Sequence, residues 1–465
     1  MERDPEKHKK IVRSRIIATC VAVAIVLFLS AGLIWGFLAL AGKVGEKMFP
    51  AAEEAVVEEA VTEETEEDAE SDEIRAEIIE KIEEMSSEPP VSQEKLEEQY
   101  EEIADRSDTG AGALEIEEIV AEMSLEDKVA QVFMIRPEQI TGVGTVTQAG
   151  DATAAALEKY HVGGIIYFAK NIIDPEQTRA LISNTEEISK GGNGIPFFLA
   201  VDEEGGDLVR IADNPEFGIT NTGNMSDIGS SGDAGNAYEA GKHIGEYLKE
   251  YGFNLDLAPV VDVKDSDSSN IGDRSFGSDA DMVSEMALQY SNGLNENGII
   301  ACYKHFPGFG RATENTDSGE VVIDGVTAAD LTDRDLIPYE KGLKTGDKMV
   351  MIGSMSFPEV TGNDLPVCMS GSVIKDYLRA ELKYNGVIIT DAMDGQAVKG
   401  RFGSGEAAVS ALKAGVDMIL SPENFDEAYN GVKSAVESGD LPEDVLDSAV
   451  SRILTLKSRT IGLNR

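Results

Sequence analysis

Cysteine, histidine and basic residues are scarce in this 465-residue chain, and each shortage argues against a class of protein. The three cysteines, Cys20, Cys302 and Cys368, show no paired spacing, which argues against a disulfide scaffold and a cysteine-based zinc site. The four histidines show no HExxH-like ligand spacing, so we expect no protein-built metal site. Lysine and arginine total 40 against 86 acidic residues, and the net charge of −46 would repel nucleic acid.

Acidic residues, by contrast, are abundant, and they divide the chain into regions of different charge. Residues 1–15 hold six basic and three acidic residues, whereas residues 51–108 hold 24 acidic and four basic residues. Such a Glu-rich stretch cannot bury enough apolar surface to fold alone. We interpret residues 43–112 as an acidic, disordered linker. Residues 113–465 are interpreted as one folded domain, because 42% of the chain is hydrophobic and can form a large core.

A long uncharged run separates the basic N-terminus from the linker. Residues 16–42 exceed the roughly 20 apolar residues that a helix needs to cross the hydrocarbon core of a membrane. A cleaved signal peptide is the alternative, although its apolar region is usually only about 7 to 15 residues long. By the positive-inside rule, residues 1–15 are cytoplasmic and the rest is extracellular. The sequence therefore predicts a single-pass protein of the cell membrane.

Within the predicted domain, apolar runs of strand length alternate with amphipathic helical stretches, as in an α/β fold with parallel strands. No GxGxxG motif follows the first run, and no GxxxxGK[ST] motif occurs, so nucleotide-binding folds lose support. Eight strands in about 350 residues favour a (β/α)8 TIM-barrel-like fold over a doubly wound sheet. The predicted strands are residues 131–135, 163–168, 196–202, 254–263, 298–306, 348–354, 386–392 and 417–422.

Polar residues gather at the ends of four of these predicted strands. The run Asp202-Glu203-Glu204 follows the third, Asp262 ends the fourth, Lys304 and His305 end the fifth, and Asp391 stands at the end of the seventh. In a (β/α)8 barrel the carboxyl ends of the strands meet at one rim, where the active site lies. A pocket of carboxylates, a lysine and a histidine suits a polyhydroxylated substrate, because sugar hydroxyls need many fixed donors and acceptors.

Five short motifs stand out in the predicted domain: KHFPGFG (304–310), VIITDAM (387–393), VDEEGG (201–206), LAPVVDV (257–263) and GDRSFGSD (272–279). Together they resemble the N-terminal catalytic barrel of glycoside hydrolase family 3. The resemblance is strongest to the single-domain bacterial β-N-acetylglucosaminidases, also called β-hexosaminidases, and it covers residues 115–465.

The resemblance implies a role for several rim residues. Asp391 matches the aspartate that attacks the anomeric carbon in a retaining double displacement. Asp202, Arg274, Lys304 and His305 match residues that bind hydroxyl groups of the terminal sugar. No cofactor is implied, because this mechanism uses only protein carboxylates and water.

The general acid/base of the family is the point at which this sequence departs from it. In the β-N-acetylglucosaminidase branch, a loop after KHFPGHG carries Asp-Ser-His, and the histidine is the acid/base. Counted without gaps, those positions fall on residues 315–317, and with a two-residue insertion on residues 317–319; neither stretch contains a histidine. Met355 also stands where the resemblance leads us to expect a histidine. Asp317, or Glu314 on the same loop, is therefore the predicted acid/base.

Three hypotheses of function follow from the missing histidine. The favoured one is an active β-N-acetylhexosaminidase that removes terminal N-acetylglucosamine from cell-wall muropeptides or related glycans and uses a carboxylic acid as proton donor. A β-glucosidase-like activity is the alternative among enzymes. The third hypothesis is a catalytically impaired, membrane-anchored glycan-binding protein, since loss of a general acid typically lowers the rate by about 10² to 10⁴.

Overall fold

The structure is a computed structural model that describes residues 110–344 and 347–463. The predicted cytoplasmic segment 1–15, the predicted transmembrane segment 16–42 and the predicted linker up to residue 109 lie outside these residues. Within the described ranges, no helix is both long enough and apolar enough to cross a membrane.

Eight parallel strands form a ring, which confirms the predicted (β/α)8 barrel. Each strand pairs with its neighbours in chain order, β1 also pairs with β8, and a parallel bridge between Ile389 and Met418 joins β7 to β8. The strands are β1 (Phe133–Ile135), β2 (Gly164–Ile166), β3 (Phe198–Val201), β4 (Leu255–Asp256), β5 (Ile300–Phe306), β6 (Met349–Ile352), β7 (Ile388–Thr390) and β8 (Ile419–Leu420).

Every observed strand lies inside its predicted run but is shorter than that run. Strand β4 shows one reason, because Pro259 follows it closely and has no N–H to donate to a neighbouring strand. The residues of all eight strands are buried, since the helices cover the outside of the ring and side chains fill its inside. Apolar runs thus mark where the strands lie, and local backbone chemistry sets where they end.

Helices surround the ring and connect successive strands. One connection, Ser372–Glu381 between β6 and β7, is a π-helical segment. The α-helices of the described residues are α1 (Gly110–Glu122), α2 (Leu125–Gln131), α3 (Glu138–Thr141), α4 (Asp151–Lys159), α5 (Pro175–Gly191), α6 (Met225–Ser230), α7 (Ala234–Tyr251), α8 (Ala280–Glu296), α9 (Ala328–Asp330), α10 (Ile337–Gly342), α11 (Pro358–Thr361), α12 (Gln396–Lys399), α13 (Ser404–Ala414), α14 (Phe425–Ser438) and α15 (Glu443–Thr460).

Helices α7 and α8 show how the sequence sets both the limits and the packing of the outer layer. The Asp233 side chain caps α7 by accepting a hydrogen bond from the Gly235 N–H at 2.9 Å. Gly252 ends the same helix in the left-handed region, with φ of 91°. A Cβ atom at Gly241 would lie 2.0 Å from the Tyr290 carbonyl oxygen, so the two helices approach each other at a position that only glycine fits.

Candidate active site

The barrel brings the predicted site residues to one rim. Asp202 directly follows β3, and Asp391 directly follows β7. Lys304 and His305 occupy the carboxyl-terminal part of β5, where the pairing of β5 with β6 shifts register. Such irregularities alter the direction of side chains and often lie beside active sites. Three predicted strand ends therefore lie at one rim, and Arg274 joins them from the loop after β4. Asp262, predicted at the end of the fourth strand, instead lies in that loop, because β4 already ends at Asp256.

Lys304 lies at the centre of a buried network of charges. Its Nζ atom is 3.1 Å from Asp202 Oδ1 and 2.5 Å from Glu204 Oε1. Arg274 donates two hydrogen bonds to the same Glu204 carboxylate, from Nε at 2.7 Å and from Nη2 at 2.8 Å. Glu204 therefore links the two cations predicted to bind the sugar, and with 1% of its surface exposed it is itself withdrawn from the pocket.

The charges in this network stabilise one another. Burial alone would raise the pKa of Glu204, but Arg274 and Lys304 together lower it from 4.5 to about 2. Burial alone would lower the pKa of Lys304, but Glu204 and Asp202 raise it above its ordinary value. Both groups consequently stay charged at neutral pH, so a fixed ammonium group lies beside carboxylate acceptors at the rim.

Asp262 holds His305 in place at the end of β5. The Asp262 Oδ2 atom lies 2.8 Å from His305 Nδ1, and the carboxylate also accepts the backbone N–H groups of His305 at 3.2 Å and of Phe309 at 2.6 Å. An ionised carboxylate can only accept hydrogen bonds, so this pairing places a proton on Nδ1. Asp262 thereby fixes both the histidine ring and the start of the loop that carries the predicted acid/base.

Asp391, the predicted nucleophile, is partly exposed at the rim. Its backbone N–H donates to the Ile352 carbonyl of β6 at 2.8 Å, which ties it to the barrel. Its Oδ1 atom accepts the Ala392 N–H, also at 2.8 Å. A carboxylate held by the backbone on one side and open to solvent on the other can approach a substrate.

The loop that carries Asp317 lies against the segment that follows Asp391. The N–H of Ala397 donates to the Thr316 carbonyl at 3.0 Å, and the N–H of Gln396 donates to the Asp317 carbonyl at 3.3 Å. Asp317 is exposed, as Glu314 is, yet protein atoms close to its carboxylate displace water and raise its pKa. The negative charge of Asp391 raises it further.

Glu314, the second predicted acid/base, has different surroundings. Its side chain is exposed and lines a cavity of about 480 Å³ together with Asp265 and Arg311. Neither Asp317 nor Asp391 lines that cavity. Of the two loop carboxylates, Asp317 is the one that the structure brings beside the predicted nucleophile.

The remaining described residues that the sequence singled out are buried. Met355, where we expected a histidine from the resemblance, is fully buried. Cys302 and Cys368 are free, buried thiols. Within the described part of the chain, no three His, Cys, Asp or Glu side chains are grouped in a way that could hold a metal ion.

The sequence places Glu204 at the rim but does not predict its role as the partner of two cations. Glu204 stands in the run Asp202-Glu203-Glu204, directly after a buried strand, and both glutamates are buried. Glu203 has a different partner set, because it accepts backbone N–H groups of the loop at Arg210 and the Tyr247 hydroxyl. Three consecutive acids next to a predicted barrel strand were the available signal, since buried carboxylates need nearby donors or cations.

The fold and the rim together define the class of protein. A closed (β/α)8 barrel carries carboxylates, a lysine, an arginine and a histidine at the carboxyl ends of its strands, which is the arrangement of an enzyme that acts on a polar, hydroxyl-rich substrate. The sequence profile described as "Glycosyl hydrolase family 3 N terminal domain" matches residues 124–456. The chain therefore belongs to glycosyl hydrolase family 3, as the motifs predicted, and is a glycoside hydrolase.

Similar proteins of known name and similar solved structures support this assignment. The chain is 31% identical over 358 residues to the beta-hexosaminidase LpqI of Mycobacterium tuberculosis, which covers 75% of this chain and 86% of that protein. The structure of M. tuberculosis LpqI superposes with a TM-score of 0.64 at 30% identity, covering 74% of this chain and 96% of the other. A family 3 beta-N-acetylglucosaminidase from Paenibacillus sp. str. FPU-7 gives a TM-score of 0.68 at 33% identity, covering 73% of this chain and 63% of the other.

Proposed function

We propose that the protein is a retaining β-N-acetylhexosaminidase with Asp391 as nucleophile and Asp317 as general acid/base. The observation that carries the proposal is the contact between the Asp317 loop and the segment after Asp391, made through the Thr316 and Asp317 carbonyls. This contact supports an active site in which two carboxylates lie at one rim and differ in how readily they lose a proton. The raised pKa of Asp317 suits an acid, and the hydrogen-bonded Asp391 suits an ionised nucleophile.

The first chemical step forms a covalent intermediate. A carboxylate oxygen of Asp391 attacks the anomeric carbon of the terminal sugar, and the glycosidic bond breaks. The protonated Asp317 gives its proton to the departing oxygen, so the leaving group departs as a neutral alcohol.

The second step releases the sugar and restores the enzyme. Asp317, now ionised, removes a proton from a water molecule, and the water oxygen attacks the anomeric carbon. The bond to Asp391 breaks and the carboxylate is regenerated. Two inversions at the same carbon retain the β configuration of the product.

The buried charge network supports binding of the terminal sugar. Glu204 holds Lys304 and Arg274 in position, and Lys304 holds Asp202. Lys304 and Arg274 can therefore donate to sugar hydroxyls, and Asp202 can accept from them. Charge-assisted hydrogen bonds of this kind contribute about 1.5 to 3 kcal/mol each. His305, fixed by Asp262, adds a further polar group to this set.

The proposed setting of the enzyme is the outer face of the cell membrane. The uncharged run 16–42 supports a membrane anchor, and the acidic stretch 43–112 supports a spacer between membrane and barrel. Cell-wall muropeptides or related glycans carry terminal β-linked N-acetylglucosamine and would be within reach there. Relatives that bear the name beta-hexosaminidase support the choice of this sugar.

Hydrolysis of aryl glycosides by the purified full-length protein tests the proposal. We expect release of the aryl group from an aryl β-N-acetylglucosaminide and much slower release from the matching β-glucoside. Equal or faster cleavage of the β-glucoside would favour the alternative activity; one relative, from Cellulomonas fimi, is named beta-N-acetylglucosaminidase/beta-glucosidase. A wild-type protein inert on both substrates would instead support the glycan-binding hypothesis.

Variants of three carboxylates separate the proposed roles. Asp391→Asn should abolish turnover of both substrates, because no covalent intermediate can form. Asp317→Asn should lose about 10² to 10⁴ in rate on a poor leaving group, and azide should restore part of the rate on an activated one by attacking the intermediate without a base. Glu314→Gln, a matched change on the same loop, should stay active. Full activity of Asp317→Asn on a poor leaving group would refute the acid assignment.

A further inference from the structure

Asp394 is a further carboxylate at the catalytic rim, and neither the motifs nor the proposed mechanism uses it. It lies three residues after Asp391, in the turn that leads into α12. Its Oδ2 atom is 2.6 Å from Nη2 of Arg136, which directly follows β1. The side chains of Asp394 and Arg136 are 20% and 25% exposed, so this ion pair is largely shielded from bulk water.

The residue next to Asp394 is in contact with the proposed acid. A Cβ atom at Gly395 would lie 3.4 Å from Asp317 Oδ1 and 3.3 Å from the Thr316 carbonyl oxygen. The following residue, Gln396, donates its N–H to the Asp317 carbonyl at 3.3 Å. The turn that holds Asp394 therefore lies beside Asp317.

Charged groups from three barrel elements act on Asp317. Besides the loss of water at the carboxylate, Asp391 and Asp394 raise its pKa from the β7 side, whereas His305 of β5 and Arg274 of the loop after β4 lower it. On its own loop, Glu320 is paired with Arg401, which limits the effect of that acid. Asp394 is thus a source of negative charge beside Asp317 that is separate from the nucleophile.

We propose that Asp394, held by Arg136, is a positioning residue whose negative charge keeps Asp317 protonated for cleavage of the glycosidic bond. The proposal rests on the proposed role of Asp317 as general acid. A family member that uses a carboxylic acid where its relatives use a histidine must retain the proton near neutral pH, where an ordinary aspartate has lost it. Arg136 fixes the carboxylate of Asp394 and partly offsets its charge.

The two partners of the ion pair should shift the acid in opposite directions. Asp394→Asn removes a negative charge near Asp317, so Asp317 loses its proton more readily and activity should fall at a lower pH than in the wild type. Arg136→Gln leaves the Asp394 charge without its counter-charge, so Asp317 keeps its proton to a higher pH. We expect displacements of about 0.5 to 1 pH unit in each direction.

The test is the pH profile of kcat/KM for the purified full-length protein. The substrate is phenyl β-N-acetylglucosaminide, whose poor leaving group makes the rate depend on the acid. The wild type, Asp394→Asn and Arg136→Gln are compared between about pH 4 and pH 9. Asp440→Asn is the control, because Asp440 forms a similar ion pair with Lys413 at 2.6 Å but follows the end of α14, at the opposite end of the barrel.

The expected result is a basic limb that moves down in pH for Asp394→Asn, up for Arg136→Gln, and not at all for Asp440→Asn. A purely structural ion pair would lower the rate of both variants without moving the basic limb, or would move the basic limbs of both variants in the same direction. Either result overturns the proposal. If Asp394→Asn does not fold, Arg136→Gln alone tests the proposal, which requires that the basic limb of this variant move to higher pH. Full activity of Asp317→Asn would refute the proposed acid, whatever the two variants show.

Discussion

Replacement of Glu204 by glutamine tests the buried network most directly. Glu204 is 1% exposed, and its two carboxylate oxygens accept hydrogen bonds from Arg274 and from the 2%-exposed Lys304. Glutamine has nearly the same shape but no charge, so Glu204→Gln removes from Lys304 and Arg274 the carboxylate that both of them contact. The variant should fold less stably and bind the sugar poorly, because both cations lose their fixed position.

Two independent arguments give the size of the effect on stability. The fall in the pKa of Glu204 from 4.5 to about 2 corresponds to about 3 kcal/mol of stabilisation at neutral pH. Removal of one partner from a buried ion pair typically lowers the free energy of unfolding by about 3 to 5 kcal/mol. Since the folded-state pKa is lowered, this stabilisation is complete above about pH 4.5 and is lost as the pH falls towards 2.

Urea unfolding followed by circular dichroism at pH 7 and pH 3.5 measures both the size of this stabilisation and its dependence on pH. The difference in unfolding free energy between wild type and Glu204→Gln should be about 3 kcal/mol at pH 7 and smaller by more than 1 kcal/mol at pH 3.5. Glu203→Gln is the matched control, because burial raises the pKa of Glu203 and its contribution should therefore decrease as the pH rises above 4.5. A Glu204→Gln difference that is absent, or that is the same at both pH values, would refute the reasoning.

Three further predictions concern buried residues elsewhere in the barrel and its outer helices. Asp262→Asn should lower the free energy of unfolding by about 2 kcal/mol in thermal melts, since the amide retains only one acceptor oxygen for the two backbone N–H groups and the ring of His305. Cys302 and Cys368 should not react with a thiol reagent until urea unfolds the protein, because burial raises the pKa of Cys368 to about 12 and that of Cys302 further. Gly241→Ala should lower the free energy of unfolding by about 1 to 3 kcal/mol, because the added methyl group meets a carbonyl oxygen of the facing helix.

The sequence predicted the barrel correctly because its evidence is local. Each parallel strand is covered on both faces, so it appears as a short apolar run, and all eight runs contain an observed strand. The rim followed from the same pattern: Asp202, Lys304 and Asp391 stand at strand ends, and strand ends of a parallel barrel meet at one side. Strand limits were less predictable, since they depend on features such as the missing N–H of Pro259.

The sequence favoured Asp317 over Glu314 as the acid/base only through the alignment of one loop. Both are acids on one loop, three residues apart, and both alignments of the loop leave the position of the missing histidine open. The folded loop separates them, because Asp317 rests against the turn after Asp391 while Glu314 lines another cavity. Loop geometry of this kind depends on hydrogen bonds to a strand end far along the chain.

Charge partners show the same division between local pattern and long-range contact. Glu204 and Lys304 are separated by 100 positions, and Arg136 and Asp394 by more than 250, yet each pair is in direct contact. By itself the sequence determined the family, the barrel and the rim, because apolar periodicity and short motifs are properties of adjacent residues. Only the tertiary structure decided which charges neutralise one another and which loop carboxylate lies against the segment that follows Asp391, because closure of the ring is what brings distant strand ends within hydrogen-bonding distance.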